Sequence, residues 1–152
     1  MVIDWNRFED TAKKLIKNIK DSGYKPDVIL SIGVSGFIPT VLISKALKIK
    51  DIQTITVSSY ENVRERSEPV IIRDSVFDIR GKKILVVDDI VATGKTQELV
   101  LSILSKFDPN SIKFATPIVS ARVCKKYPDF YGEAIMRDEE DFISFPWDEY
   151  EL

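Results

Sequence analysis

The chain has 152 residues, 44% of them hydrophobic, and a formal net charge of −2 with no long basic run. That suits one α/β domain with a substantial core, leaves no electrostatic footprint for nucleic acid, and offers no apolar run near the ~20 residues of a membrane span. A single cysteine, Cys124, excludes a disulfide framework and a Cys-based zinc site, and the absence of histidine removes imidazole acid–base catalysis, Ser-His triads and His-ligated metals. Met1 is not followed by a signal-peptide pattern, so the chain is expected in the cytoplasm, with no nucleic-acid or membrane partner.

In chain order, Trp5, Phe8, Ala12, Leu15, Ile16 and Ile19 recur at helical spacing and predict a helix over 4–21, with Asp4 as its N-cap and Gly23 ending it. DVILSI (27–32) predicts a buried strand. Gly33 to Pro39 then turns into a helix reaching about Leu47. A glycine-bearing turn from strand to helix presents free N–H groups to an anion. DIQTITVSSY (51–60) alternates and is β-branched, which predicts a strand. ENVRERSE (61–68) is charged with no apolar face and by itself reads as a solvated loop. PVIIR (69–73) returns as a strand, and 78–82 is a turn.

The stretch from Lys83 to Leu101, KILVVDDIVATGKTQELVL, organises the rest. Ile84 to Val87 reads as a buried strand ending in two carboxylates, Asp88 and Asp89. A short loop from Ile90 to Gly94 leads to Lys95, Thr96 and an amphipathic helix. Ligands of open α/β sheets sit at the carboxyl ends of strands. There the backbone N–H groups of Ala92 to Thr96, with the Thr93 and Thr96 hydroxyls, would cradle a phosphate, while the acids hold hydroxyls or a metal. Together they suggest a sugar phosphate. A Walker A loop would need glycine at position 89, and that residue is Asp89. Any metal would be a hard ion on oxygen ligands, most simply Mg²⁺ held mainly by substrate phosphates.

Asp108-Pro109-Asn110 stops the helix. IKFATPIV (112–119) predicts a strand that tolerates Pro117 toward an edge or an end. A linker follows over 120–126, a short strand over 130–136 and an acidic loop over 137–141. Phe145 and Trp147 of the closing FISFPWDEYEL read as core aromatics.

VVDDIVATGKT resembles the phosphoribosyl pyrophosphate (PRPP) binding motif of type I phosphoribosyltransferases. IGVSGFIPTVLISKAL resembles the pyrophosphate loop of the xanthine-guanine and hypoxanthine-guanine branch. FISFPWDEYEL resembles the C-terminal hood of 6-oxopurine enzymes. The resemblance implies an open, mostly parallel twisted sheet flanked by helices, with a core over about 1–119, a small hood over about 120–152 and a mobile lid over about 59–75. It implies that Asp88 and Asp89 orient the ribose and contact Mg²⁺, directly or through water. Ala92, Thr93, Gly94, Lys95 and Thr96 would bind the 5′-phosphate. Val34, Ser35 and Gly36 would bind pyrophosphate, with Arg64 or Arg66 reaching it from a lid that opens at Ser59 and Tyr60. Ile90, Phe142 and Ile143 would bind the base, with Phe142 stacking on it.

The implied reaction transfers 5-phosphoribosyl from PRPP to a purine and releases pyrophosphate, in nucleotide salvage, by a homodimer or homotetramer. The chain departs from the family in three places. Val34 replaces a basic residue of the pyrophosphate loop. Ala92 replaces an aspartate near the base's N7. Ser120 falls where a lysine meets the base's O6, a role left to Lys125 or Lys126 only if the linker shifts register. The hood favours a 6-oxopurine. Ala92 and the missing lysine keep adenine open as the acceptor. Val34 and Ala92 are compatible with a non-catalytic PRPP- or nucleotide-sensing regulatory protein, whereas the Ser59-Tyr60 lid favours an enzyme.

Overall fold

The computed structural model describes residues 1–58, 61–62, 65–66, 68–73, 77–138 and 141–151. Helix α1 (Trp5–Ser22) opens on Asp4, whose carboxylate accepts the Arg7 N–H, and closes on Gly23 in the left-handed conformation, φ 74°. Strand β1 (Val28–Gly33) and helix α2 (Phe37–Leu47) follow. Then come β2 (Ile52–Ser58), the two-residue strands β3 (Glu61–Asn62) and β4 (Glu65–Arg66), and β5 (Val70–Arg73). The predicted solvated loop thus contains an antiparallel pair, Glu61 opposite Arg66 and Asn62 opposite Glu65. Next are β6 (Lys83–Val87), β7 (Ile90–Val91), helix α3 (Lys95–Leu104), β8 (Ser111–Ser120) and β9 (Phe130–Ile135).

The main sheet has seven strands in the order β5-β2-β1-β6-β8-β7, with β9 on the other side of β8. All its pairs are parallel except β2–β5. Strict alternation along β1 and β6 explains why both faces are covered. Val28, Leu30, Ile32, Ile84 and Val86 face Val100 and Leu104 of α3. Ile29, Leu85 and Val87 face Leu15 and Ile19 of α1 and Ile43 of α2. A third cluster joins Ile3 and Phe8 to Ile118, Ile135, Ile143 and Phe145, and so ties the C-terminal segment to the sheet. As expected of core aromatics, Phe145 is buried and stacks on Trp147, their ring centroids 4.6 Å apart.

The motif strand does not end at Val87. Val87 pairs with Ala115 and Ile90 with Ile118, so β6 and β7 keep one register along β8 and form one strand line broken at Asp88 and Asp89. The predicted loop from Ile90 therefore begins as a strand. Pro117 corrects a second expectation, because it lies inside β8, flanked on both sides. It is tolerated there because it falls opposite the break in one neighbour and opposite Gly132 in the other. A Cβ at Gly132 would stand 2.8 Å from the Pro117 carbonyl oxygen and 2.3 Å from that of Thr11. Among the described residues, no helix is long and apolar enough to cross a membrane.

Candidate active site

The break in the strand line is what presents the two acids. The Asp88 N–H still donates to the Ala115 carbonyl at 3.2 Å. The next two amides turn to the side chains instead: Asp89 N–H to Asp88 Oδ1 and Ile90 N–H to Asp89 Oδ1, both 2.9 Å. Each carboxylate is thereby oriented by the residue that follows it. Both are partly buried. Burial, then the charge of Asp89, holds the Asp88 carboxyl well above the usual carboxylate range. Burial likewise raises Asp89 to about 6, opposed by the hydrogen bonds it accepts and reinforced by the charge of Asp148. Without a ligand, the pair accommodates one proton more readily than two negative charges.

Asp148 is a residue that sequence reasoning missed. Its carboxylate accepts the Phe145 N–H at 2.7 Å in the C-terminal 3₁₀ turn and is near enough to Asp89 to repel its charge. FISFPWD contains it, but its approach to Asp89 is a long-range contact that no local pattern encodes.

The first cradle lies at the start of α3. Gly94 adopts φ 93°, which favours glycine, and no side chain caps the helix. The first intrahelical bond runs from Glu98 N–H to the Gly94 carbonyl at 3.1 Å. The amides of Lys95, Thr96 and Gln97 therefore precede the helical ladder, and that of Lys95 makes a long contact, 3.4 Å, to Thr93 Oγ1. Lys95 Nζ pairs with Glu68 Oε1 at 2.6 Å.

The second cradle lies between β1 and α2, where the Gly33–Val34 peptide is cis. Here the expectation for Gly36 is corrected. Its N–H already donates to the Ile32 carbonyl at 3.0 Å, and those of Phe37 and Ile38 donate to Val34 and Ser35. Among the described residues, the Val34 and Ser35 amides are left without such partners. Gly36 serves this loop through fit: a Cβ there would stand 2.2 Å from the Ile32 carbonyl oxygen and 2.9 Å from that of Val87.

Of the residues expected to bind the base, Phe142 is 68% exposed, whereas the Ile143 side chain is buried in the third cluster and has only its main chain to offer. Ile90 packs against the same cluster. Ser120 is fully buried beside Arg137, whose Nη1 lies 3.3 Å from the serine Oγ. In the linker after it, the Lys126 carbonyl accepts from Gln97 Nε2 at 3.4 Å, close to Gly94. Ser59, Tyr60 and Arg64 lie outside the described residues, as does the side chain of Arg66.

Among the described residues there is no cluster of three or more acids or thiols that would hold a metal by itself. The donor set present, two oxygen ligands that repel each other, fits a hard dication whose remaining ligands come from a bound phosphate.

The family description of a phosphoribosyl transferase domain matches residues 1–152. The xanthine-guanine phosphoribosyltransferase of Desulfotalea psychrophila is 30% identical over 146 residues, covering 96% of this chain and 84% of that protein. The crystal structure of a purine phosphoribosyltransferase from Pyrococcus horikoshii superimposes with a TM-score of 0.80 at 29% identity, covering 99% of this chain and 94% of that one. A Neisseria gonorrhoeae protein solved with bound ppGpp superimposes with a TM-score of 0.79 at 28% identity, covering 96% and 87%.

Proposed function

The chain belongs to the phosphoribosyl transferase domain family, and from that membership we propose that it is a purine phosphoribosyltransferase of nucleotide salvage, with a 6-oxopurine as acceptor. The observation that carries the proposal is the broken strand line, which sets Asp88 and Asp89 between two runs of amides able to hold phosphates. The name of the xanthine-guanine relative supports the choice of a 6-oxopurine, and that of the Pyrococcus enzyme supports a purine.

In this reading the α3 amides with Thr93 and Thr96 bind the 5′-phosphate of PRPP, and Val34 and Ser35 receive its pyrophosphate. Asp88 and Asp89 accept hydrogen bonds from the ribose hydroxyls and fix the sugar in line between leaving group and base. The bond from the anomeric carbon to pyrophosphate breaks as the bond to the base nitrogen forms, through an oxocarbenium-like state. The protein's contribution is positioning and charge stabilisation. Phe142 stacks on the base. Ala92 has no carboxylate to take the base's proton, which leaves to water, to pyrophosphate or to another side chain. Mg²⁺, held by Asp88 and Asp89 and by the phosphates, would offset the charge of the departing group. Homodimeric or homotetrameric assembly and a cytoplasmic location complete the proposal.

Incubating the protein with PRPP, Mg²⁺ and equimolar hypoxanthine and adenine tests the base assignment. The expected product is inosine monophosphate in excess, and adenosine monophosphate as main product would reverse it. The bound ppGpp of the Neisseria neighbour favours a second reading, a nucleotide-sensing protein that uses the same cradles. Tight nucleotide binding without any product nucleotide would establish that alternative.

A further inference from the structure

We propose that Arg137 is a positioning residue for Phe142, holding the base-stacking ring in place without touching the base; this rests on the purine reading above. Phe142 is 68% exposed, so packing does not fix its ring, and its position depends on its backbone. That backbone is tethered on both sides. On the near side, Arg137 Nε donates to the carbonyl of Asp141, the residue before Phe142, while Nη1 of the same guanidinium reaches Ser120 Oγ at 3.3 Å. Ser120 is fully buried and terminates β8 at the carboxyl edge of the sheet. One planar side chain therefore links the last residue of a central strand to the residue that precedes the aromatic.

The turn it joins is closed in other ways. Asp141 N–H donates to the Asp138 carbonyl and Asp138 N–H to Asp141 Oδ2, each at 3.2 Å. Arg122 Nη1 holds both oxygens of Asp138 at 2.8 Å. On the far side Ile143 is buried, and Ser144 is bridged to Val2 through Ser144 N–H to the Met1 carbonyl and Ile3 N–H to the Ser144 carbonyl. An exposed ring between two fixed backbone points is preorganised, so binding the base costs little ordering.

Steady-state kinetics of the full chain test this with Arg137→Ala, Arg137→Lys, Phe142→Ala and the Arg137→Ala/Phe142→Ala double variant. Arg137→Ala is expected to raise KM for the purine about 3- to 10-fold, no more than loss of the ring itself, with KM for PRPP and kcat within about 2-fold. Arg137→Lys, with one charged point in place of the fork, is expected to recover part of the loss. In the double variant the Arg137 substitution should add nothing beyond Phe142→Ala, the signature of two residues acting as one unit. Equal losses in both KM values, or full additivity in the double variant, would overturn the proposal. So would unchanged kinetics in Arg137→Ala. Melting temperatures of the four variants separate a general loss of folding from these outcomes. A wild-type chain that forms no nucleotide with any purine would instead fail the reading on which the proposal stands.

Discussion

Pro117 stands opposite Asp89 in the sheet, at the one place where the strand line beside β8 is broken. Each feature permits the other. Proline has no N–H to donate, so a neighbour that leaves the ladder there strands no donor, and the released backbone is free to turn its amides onto the Asp88 and Asp89 carboxylates.

The crowding of these acids should be visible as a stability cost. Asp89 is raised to about 6, above its value of about 3.9 in an unfolded chain. The stability of the protonated form is fully present below about pH 3.9 and is lost as pH rises through about 6. Asp89→Asn, a neutral isostere, should therefore be more stable than wild type at pH 7.5. The gain should be about 1 kcal/mol, on the order of 3 °C in Tm, and should vanish near pH 4. Thermal melts of both proteins at the two pH values check this, and a variant less stable at both would refute it. The same substitution should lower turnover by at least ~100-fold.

Activity should follow the opposite limb of that titration. Ribose hydroxyls and a dication both need an ionised Asp89, so kcat/KM should fall at least about tenfold per pH unit below about 6. A profile flat down to pH 5 would show that neither acid titrates in the working range.

Gly36 is expected to tolerate no side chain. Its Cβ would meet two backbone oxygens rather than a yielding side chain. Gly36→Ala should cost about 2–3 kcal/mol, read as a lower urea midpoint, and should raise KM for PRPP. An unchanged midpoint would mean that the β1–α2 turn yields more easily than its packing implies.

Phe142→Ala should separate binding from folding. The ring is mostly exposed, so Tm should hold within about 1 °C, while KM for the purine rises about 10-fold, in line with stacking energies of ~1–3 kcal/mol per base. A fall in Tm with unchanged KM would assign the ring to packing.

Much of this architecture was legible because it is written locally. The Asp4 cap, the Gly23 stop, the buried apolar runs of β1 and β6 and the acids ahead of A-T-G-K-T all follow from neighbouring residues. What escaped depends on partners distant in sequence. Ile90 and Val91 form a strand only because β8 lies alongside them, and Pro117 is interior only because the break faces it. Ile143 is buried by Ile3 and Phe8, more than a hundred residues earlier in the sequence. Asp148 comes to Asp89 through the fold of the C-terminal segment. Periodicity and motif spacing carry no information about such contacts.

The most direct test is pyrophosphate release from PRPP and Mg²⁺, with hypoxanthine, guanine, xanthine, adenine and uracil supplied separately. Release with at least one 6-oxopurine, little with uracil, and loss of that release in Asp89→Asn is the predicted result. No release with any base, from a protein that still binds PRPP or a nucleotide, would contradict catalysis and leave a sensor in its place.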